Sequence, residues 1–253
     1  MNLFRLLYTE AIYRPLLNAL VLVYLTLPYR DLGLAIIVLT AVVRLLLHPT
    51  LVQTVRSQRA MAAVQPRLRE IQQRFKGNRE EIARRTMILY REAGVHPLSG
   101  CLPILIQLPV LIGLYRVFWT GITLADRSLL YAFVPPIDAF HTVAFGLFDL
   151  AARNPILAVL AGASQFLQAR MLPQPGAGGQ GDEMARALRW QMTYAFPVII
   201  AVISWSLPAA LALYWTAFTL IAILQQRWIE RRLSHEPAPR TGHPDAREDG
   251  HPR

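Results

Sequence analysis

The sequence predicts an all-α integral membrane protein: five transmembrane helices around a hydrophilic groove, with a cytoplasmic helical hairpin and an N-terminal interfacial helix. Three observations carry that prediction. Of the 253 residues, 54% are hydrophobic and mean hydropathy is +0.32. Five apolar stretches of about 15–20 residues approach bilayer-crossing length, and in lipid a helix satisfies its own backbone polar groups. The formal charge of +10 is concentrated in one segment, which reads as membrane topology and surface recognition rather than a general nucleic-acid signature.

Taken in order, residues 1–30 form the extracytoplasmic N-terminus. Their apolar stretch Leu16–Leu27 ends before Pro28 and is too short to span, so an interfacial helix is expected. No small-residue cleavage site marks a signal peptide. Span 1 covers 31–51. Residues 52–96 hold ten basic residues against four acids, a net of +6, and the positive-inside rule places them in the cytoplasm. Met61, Val64, Leu68, Ile71 and Phe75 recur at helical spacing, Lys76-Gly77-Asn78 signals a turn, and Ile82, Thr86, Leu89 and Ala93 form a weaker second seam. A basic helical hairpin follows from this pattern, with loose packing.

Span 2 covers 97–119. The loop 120–154 carries Arg127 and Arg153 against Asp126, Asp138 and Asp149, a net of −1 suited to the opposite side. Span 3 covers 155–172, a glycine-rich cytoplasmic linker 173–192, span 4 193–207 and span 5 208–226. The last two abut at Leu207-Pro208, with the proline opening the second helix. The tail, 227–253, is expected to be disordered and cytoplasmic. Five spans place the N-terminus outside and the C-terminus inside.

Arg44 is the costly residue. A guanidinium cannot shed its proton, and at the centre of a spanning helix it costs about 2.5–3.5 kcal/mol on insertion scales. Two readings stand. Arg44 lies about one turn before His48-Pro49, so it can snorkel to the headgroups. Alternatively it faces a wet cavity, with Thr40 four residues earlier on the same face and with Gln107, Ser164, Gln165 and Gln168 converging from other spans. Tyr214 and Trp215 either line that cavity or belong to the aromatic belt. From Leu32 onward no Asp or Glu falls inside the five stretches. A proton-coupled carrier usually needs an intramembrane carboxylate. A positive cavity without one suits passing acidic groups.

Enzyme readings lack support: Gly-x-Ser-x-Gly, His-Glu-x-x-His and Gly-x-x-x-x-Gly-Lys motifs are all missing, so neither an enzyme nor a cofactor is expected. Cys101 is the single cysteine, which excludes an intramolecular disulfide and suits apolar packing.

Three motifs carry a resemblance: Gly33-Leu-Ala-Ile-Ile-Val-Leu-Thr40 with Arg44 and Pro49; Leu89-Tyr-Arg-Glu-Ala-Gly94-Val-His-Pro97-Leu-Ser-Gly100-Cys101-Leu-Pro103-Ile-Leu-Ile-Gln107-Leu-Pro109; and Pro208-Ala-Ala-Leu-Ala-Leu-Tyr214-Trp215, ending at Gln225-Gln226. Together they resemble the YidC family of membrane protein insertases, kin to the mitochondrial Oxa and chloroplast Alb proteins, over roughly residues 11–232. Departures occur at His96 and Ser99, where the family usually has Asn and Gly. Ala210 replaces a usual Gly, and Phe218-Thr219 a usual Ser-Asn.

The resemblance implies a minimal five-span core in a bacterial cell membrane, without the large extracytoplasmic domain of many Gram-negative members. It implies a groove open to cytoplasm and lipid, in which Arg44 with Thr40, Gln165 and Trp215 meets acidic substrate tails; the residue reading adds Gln107, Gln168 and Tyr214 to that groove. It also implies a receiving hairpin with Arg67, Arg69, Arg74, Lys76, Arg84 and Arg85. The implied partners are nascent membrane proteins, the ribosome, the signal recognition particle receptor, the Sec translocon for some clients, and the bilayer, with the protein working as a monomer. A small anion-selective channel or carrier is the alternative, but a channel has no need of a long basic cytoplasmic arm.

Overall fold

The computed structural model describes residues 3–94, 102–120, 127–171, 186–187 and 189–234. Their helices run in the order α1 (Leu3–Tyr8), a π turn (Thr9–Tyr13), α2 (Arg14–Thr26), α3 (Leu32–Leu46), α4 (His48–Arg74), α5 (Arg79–Glu92), α6 (Leu102–Thr120), α7 (Pro155–Met171), a second π turn (Gln191–Ala195), α8 (Phe196–Ser206) and α9 (Ala209–Leu233). A small antiparallel ribbon interrupts this helical order: β1 (Val143–Ala144) pairs with β2 (Phe148–Asp149), Val143 opposite Asp149.

By length and composition, Leu6–Thr26 and Ala209–Leu233 are each able to cross a membrane, and α3 with α4 makes a third candidate as a pair bent by 63°. The remaining apolar helices, α6, α7 and α8, have 19, 17 and 11 residues.

Three boundaries differ from the sequence reading. The first helix begins at Leu3, well before the apolar run at Leu16, because the π turn carries the chain helically past Glu10 and Arg14, which pair at 2.9 Å one turn apart. Span 1 stops at Leu46, so residues 48–51 belong to the hairpin; Pro49 sits in the first turn of α4, where its missing N–H costs nothing. Residues 227–233, expected to be disordered, continue α9, because Ile229 and Leu233 find a buried partner in Val55 of α4.

Helix α9 is the hub, packing on α3, on α7 and, at its foot, on α4. Buried Ala209, Ala210, Ala212, Ala217 and Ala222 let those helices approach closely. The α7–α8 contact is similarly tight: a Cβ added to Gly162 would lie 2.8 Å from the Cβ of Ala201. As expected, Pro208 immediately precedes α9.

One apolar core joins α2, α3, α6, the 127–154 loop and the start of α9, with Leu17, Leu20, Leu32, Ile36 and Leu150 fully buried. Several of the loop's polar groups find partners on the helices around it. Asn18 is 1% exposed; its Nδ2 donates to the carbonyls of Arg14 (2.7 Å) and Leu129 (2.9 Å), and its Oδ1 accepts from Tyr131 N–H (2.7 Å). Asp31 caps α3 by accepting from Leu34 N–H (2.8 Å) and also holds Phe145 N–H of the ribbon turn. Two otherwise orphaned N–H groups at the start of α9 are satisfied by the loop: Ala209 donates to Ala152 (2.8 Å) and Ala210 to Leu150 (3.0 Å).

The two hairpin helices α4 and α5 pack on each other, and one residue of each expected seam is buried, Val64 and Leu89. Gly77 takes φ +94°, a left-handed value that favours glycine, and Asn78 caps α5 by accepting from Glu81 N–H (3.0 Å).

Candidate functional site

Arg44 lies in the last turn of α3, where that helix crosses α9. Its guanidinium turns inward: the residue is 8% exposed, Cζ stands 4.0 Å from the centroid of the Phe218 ring, and Nη2 donates to the Phe218 carbonyl (3.3 Å). Arginine has five N–H donors. Here Nε is buried without a partner, and among the described residues Arg44 forms no ion pair. Two turns further along α9, Gln225 Nε2 donates to the Arg44 carbonyl (3.2 Å), while its own Oε1 is buried and unpartnered. Thr219, fully buried beside Phe218, likewise has an unpartnered hydroxyl. Three buried polar atoms without partners in one neighbourhood depart from the usual satisfaction of protein interiors.

Thr40 is buried on Arg44's face, but its hydroxyl is committed to the Ile36 carbonyl of its own helix (2.6 Å). A second polar group forms where α7 meets α9. Trp215 Nε1 donates to Gln165 Oε1 (3.0 Å), and Gln165 Nε2 donates to Gln168 Oε1 (3.4 Å). At about 100° per residue, Trp215 lies roughly 60° around α9 from Phe218, so the two groups occupy adjacent faces of one helix. Among the described residues no hydrogen bond joins them. Tyr214 is buried next to this line, its ring 5.9 Å from that of Phe218. Ser164 donates within α7 to Ala161 (2.9 Å). The side chain of Gln107 and the whole of Cys101 lie outside the described residues.

The hairpin's basic residues divide by position. Arg84 and Arg85 both grip Glu81, at 2.7 and 2.8 Å, and hold its carboxyl at about 2. Arg74 and Arg85 flank the Phe75 ring at 5.9 and 5.5 Å, while Arg69 and Lys76 are exposed. Arg67 has an interaction and is half-buried. The hairpin's root is anchored to the foot of α9. Arg59 Nη2 donates to the Glu230 carbonyl (2.9 Å), Gln226 Nε2 donates to Glu230 Oε1 (2.9 Å), and the His48 and Trp228 rings stand 5.5 Å apart.

Sequence reasoning missed Phe218, Gln225 and the Arg59–Glu230 anchor as partners in this region. It also passed over Arg116 of α6, which stands 5.3 Å from the Tyr13 ring and 5.8 Å from that of Tyr8. The one available signal was Phe218 itself, an aromatic four residues after Tyr214, on the same face of the last helix.

The family model described as 60Kd inner membrane protein matches residues 24–236. The chain is similar to the membrane protein insertase YidC of Fusobacterium nucleatum subsp. nucleatum, 36% identical over 200 residues that cover 79% of this chain and 86% of that protein. It is also similar to the membrane protein insertase YidC of Francisella tularensis subsp. novicida, 35% identical over 202 residues covering 79% of this chain and 32% of that protein. The match thus spans about a third of the Francisella relative's length.

Proposed function

The chain belongs to the YidC family of membrane protein insertases, and from that premise we propose that it inserts nascent membrane proteins through a groove centred on Arg44. In this reading α3, α6, α7, α8 and α9 cross a bacterial cell membrane and the first helix lies along its outer face. The N-terminus is outside and the C-terminus cytoplasmic. The basic hairpin receives clients from the ribosome and the signal recognition particle receptor, and for some clients works beside the Sec translocon. Each copy acts as a monomer.

The observation that carries the proposal is a buried guanidinium with an unpartnered Nε and, among the described residues, no acid paired with it. A client's acidic tail supplies the missing charge. At about 5 Å and an effective dielectric of about 20, the attraction is on the order of 3 kcal/mol before desolvation is subtracted. The pairing is temporary because the hydrophobic segment behind the tail then partitions into lipid. That partitioning releases about 0.8 kcal/mol per CH₂ buried, enough to drive passage without nucleotide hydrolysis. The Gln165–Gln168–Trp215 chain offers further polar contacts on the adjacent face of α9.

The test is reconstitution of the full chain in proteoliposomes with a single-span client carrying an acidic N-terminal tail, read by protease protection. Wild type is expected to insert the client above the level of empty liposomes, Arg44→Ala to lose most of that gain, and Arg44→Lys to keep part of it. Full activity in Arg44→Ala would remove the electrostatic role. Anion flux through the same liposomes, without client insertion, would favour a channel instead.

A further inference from the structure

The guanidinium of Arg44 is covered. Among the described residues its guanidinium donates one hydrogen bond, to the Phe218 carbonyl, its Cζ stands 4.0 Å from the centroid of the Phe218 ring, and 8% of the residue remains exposed. We propose that Phe218 is a gate over Arg44 and that it determines which client tails gain access to the charge. This rests on reading Arg44 as the groove residue.

The gate follows from competition for one cation. A desolvated cation–π contact is a substantial attraction, and here a backbone carbonyl reinforces it. A carboxylate entering the site must lift the guanidinium off the ring or displace the ring itself. The Nε, buried without a partner, gives an incoming carboxylate a donor that the closed state leaves unused. A tail with one acid gains little over what the ring already supplies. A tail with several acids, presenting a high local concentration of carboxylate, competes effectively. Phe218 therefore biases insertion toward strongly acidic tails, and a small residue there relaxes the bias.

The experiment uses the full chain in lipid nanodiscs, labelled with phenylglyoxal, which modifies accessible arginine; mass spectrometry of the peptide containing residue 44 reads the extent. Phe218→Ser is expected to raise the labelling rate at Arg44 by about 5- to 30-fold, the equilibrium equivalent of one exposed to desolvated cation–π contact. Phe218→Leu keeps apolar volume without a ring face; an expected rise of at least about twofold lets it carry the test if the serine variant does not accumulate. Ile223→Ala, a buried cavity on the same helix, is expected to leave labelling unchanged.

In proteoliposomes Phe218→Ser should raise insertion of a one-acid client several-fold while a three-acid client changes little. Equal labelling in wild type and both Phe218 variants overturns the gate, as does an equal rise in Ile223→Ala. Increased labelling with an unchanged ratio of the two clients overturns its role in selectivity. Failure of wild type to insert either client overturns the insertase reading instead, and the labelling result still decides whether Phe218 covers Arg44.

Discussion

The two ends of the α3–α9 pair are built on opposite terms. At the loop end, polar groups are matched: Asn18 makes three hydrogen bonds, Asp31 ties α3 to the ribbon turn, and the first N–H groups of α9 are taken by Ala152 and Leu150. Toward the hairpin end, the same two helices bury Arg44 Nε, Thr219 Oγ1 and Gln225 Oε1 without partners. One end is sealed by complementary bonds. The other holds capacity in reserve, as a site that must bind and release a passing charge requires. Unsatisfied buried groups cost stability, and along the α3–α9 pair three of them fall where the proposed function lies.

Perturbing each end tests the contrast, and the largest effect is expected at the sealed end. Asn18→Leu strands the Tyr131 N–H and leaves the Leu129 carbonyl to Arg14 Nε alone, and should destabilise the purified protein by about 3 kcal/mol, seen in thermal unfolding in detergent. Gly33→Ala comes next. Its new Cβ would meet that of Ala144 at 2.6 Å, so α3 or the ribbon must shift at a cost of about 1–3 kcal/mol by the same assay.

The open end should respond in the other direction. Thr219→Val removes an unpartnered hydroxyl at nearly constant volume. It should leave stability unchanged or raise it by up to about 1 kcal/mol, while lowering client insertion. A loss of stability matching that of Asn18→Leu would show that the hydroxyl is satisfied and the contrast false.

The smallest effect lies in the hairpin, outside both ends. Glu81 is held at about 2, below its ordinary 4.5, by hydrogen bonds from Arg84 and then Arg85. A depressed carboxyl stabilises above its unfolded value and loses that contribution as pH falls through the folded one. Protection factors in α5, which correct hydrogen exchange for its intrinsic pH dependence, should therefore fall modestly between about pH 4.5 and 2, and Glu81→Gln should remove that part of the response.

What was legible in the sequence was local. Lys76-Gly77-Asn78 specified the hairpin turn through one left-handed glycine and one capping side chain, the two seams specified its buried faces, and Pro208 specified the start of α9. The break at Leu47 was obscured because apolar residues resume beyond it, with Leu45 to Leu47 before His48-Pro49-Thr50 and Leu51 and Val52 after. The early start of the first helix was obscured by Glu10 and Arg14, whose charges interrupt the apolar pattern although their pairing suits a helix. At the site, Arg44, Gln165 and Trp215 stood out as polar or amphipathic residues in apolar runs. Their partners did not, because Phe218 is an ordinary apolar residue until the fold brings it against a cation 174 positions away. Residues 227–233 read as a charged tail for the same reason: Ile229 and Leu233 acquire a hydrophobic role only against Val55.

The central claim is that the counter-charge of Arg44 arrives with the client. The most direct test is a double-mutant cycle in reconstituted proteoliposomes, crossing wild type and Arg44→Ala with two clients that differ only in tail Asp residues replaced by Asn. The account predicts strong coupling: Arg44→Ala sharply reduces insertion of the Asp-tailed client and barely alters that of the Asn-tailed one. Equal proportional losses for both clients would contradict it.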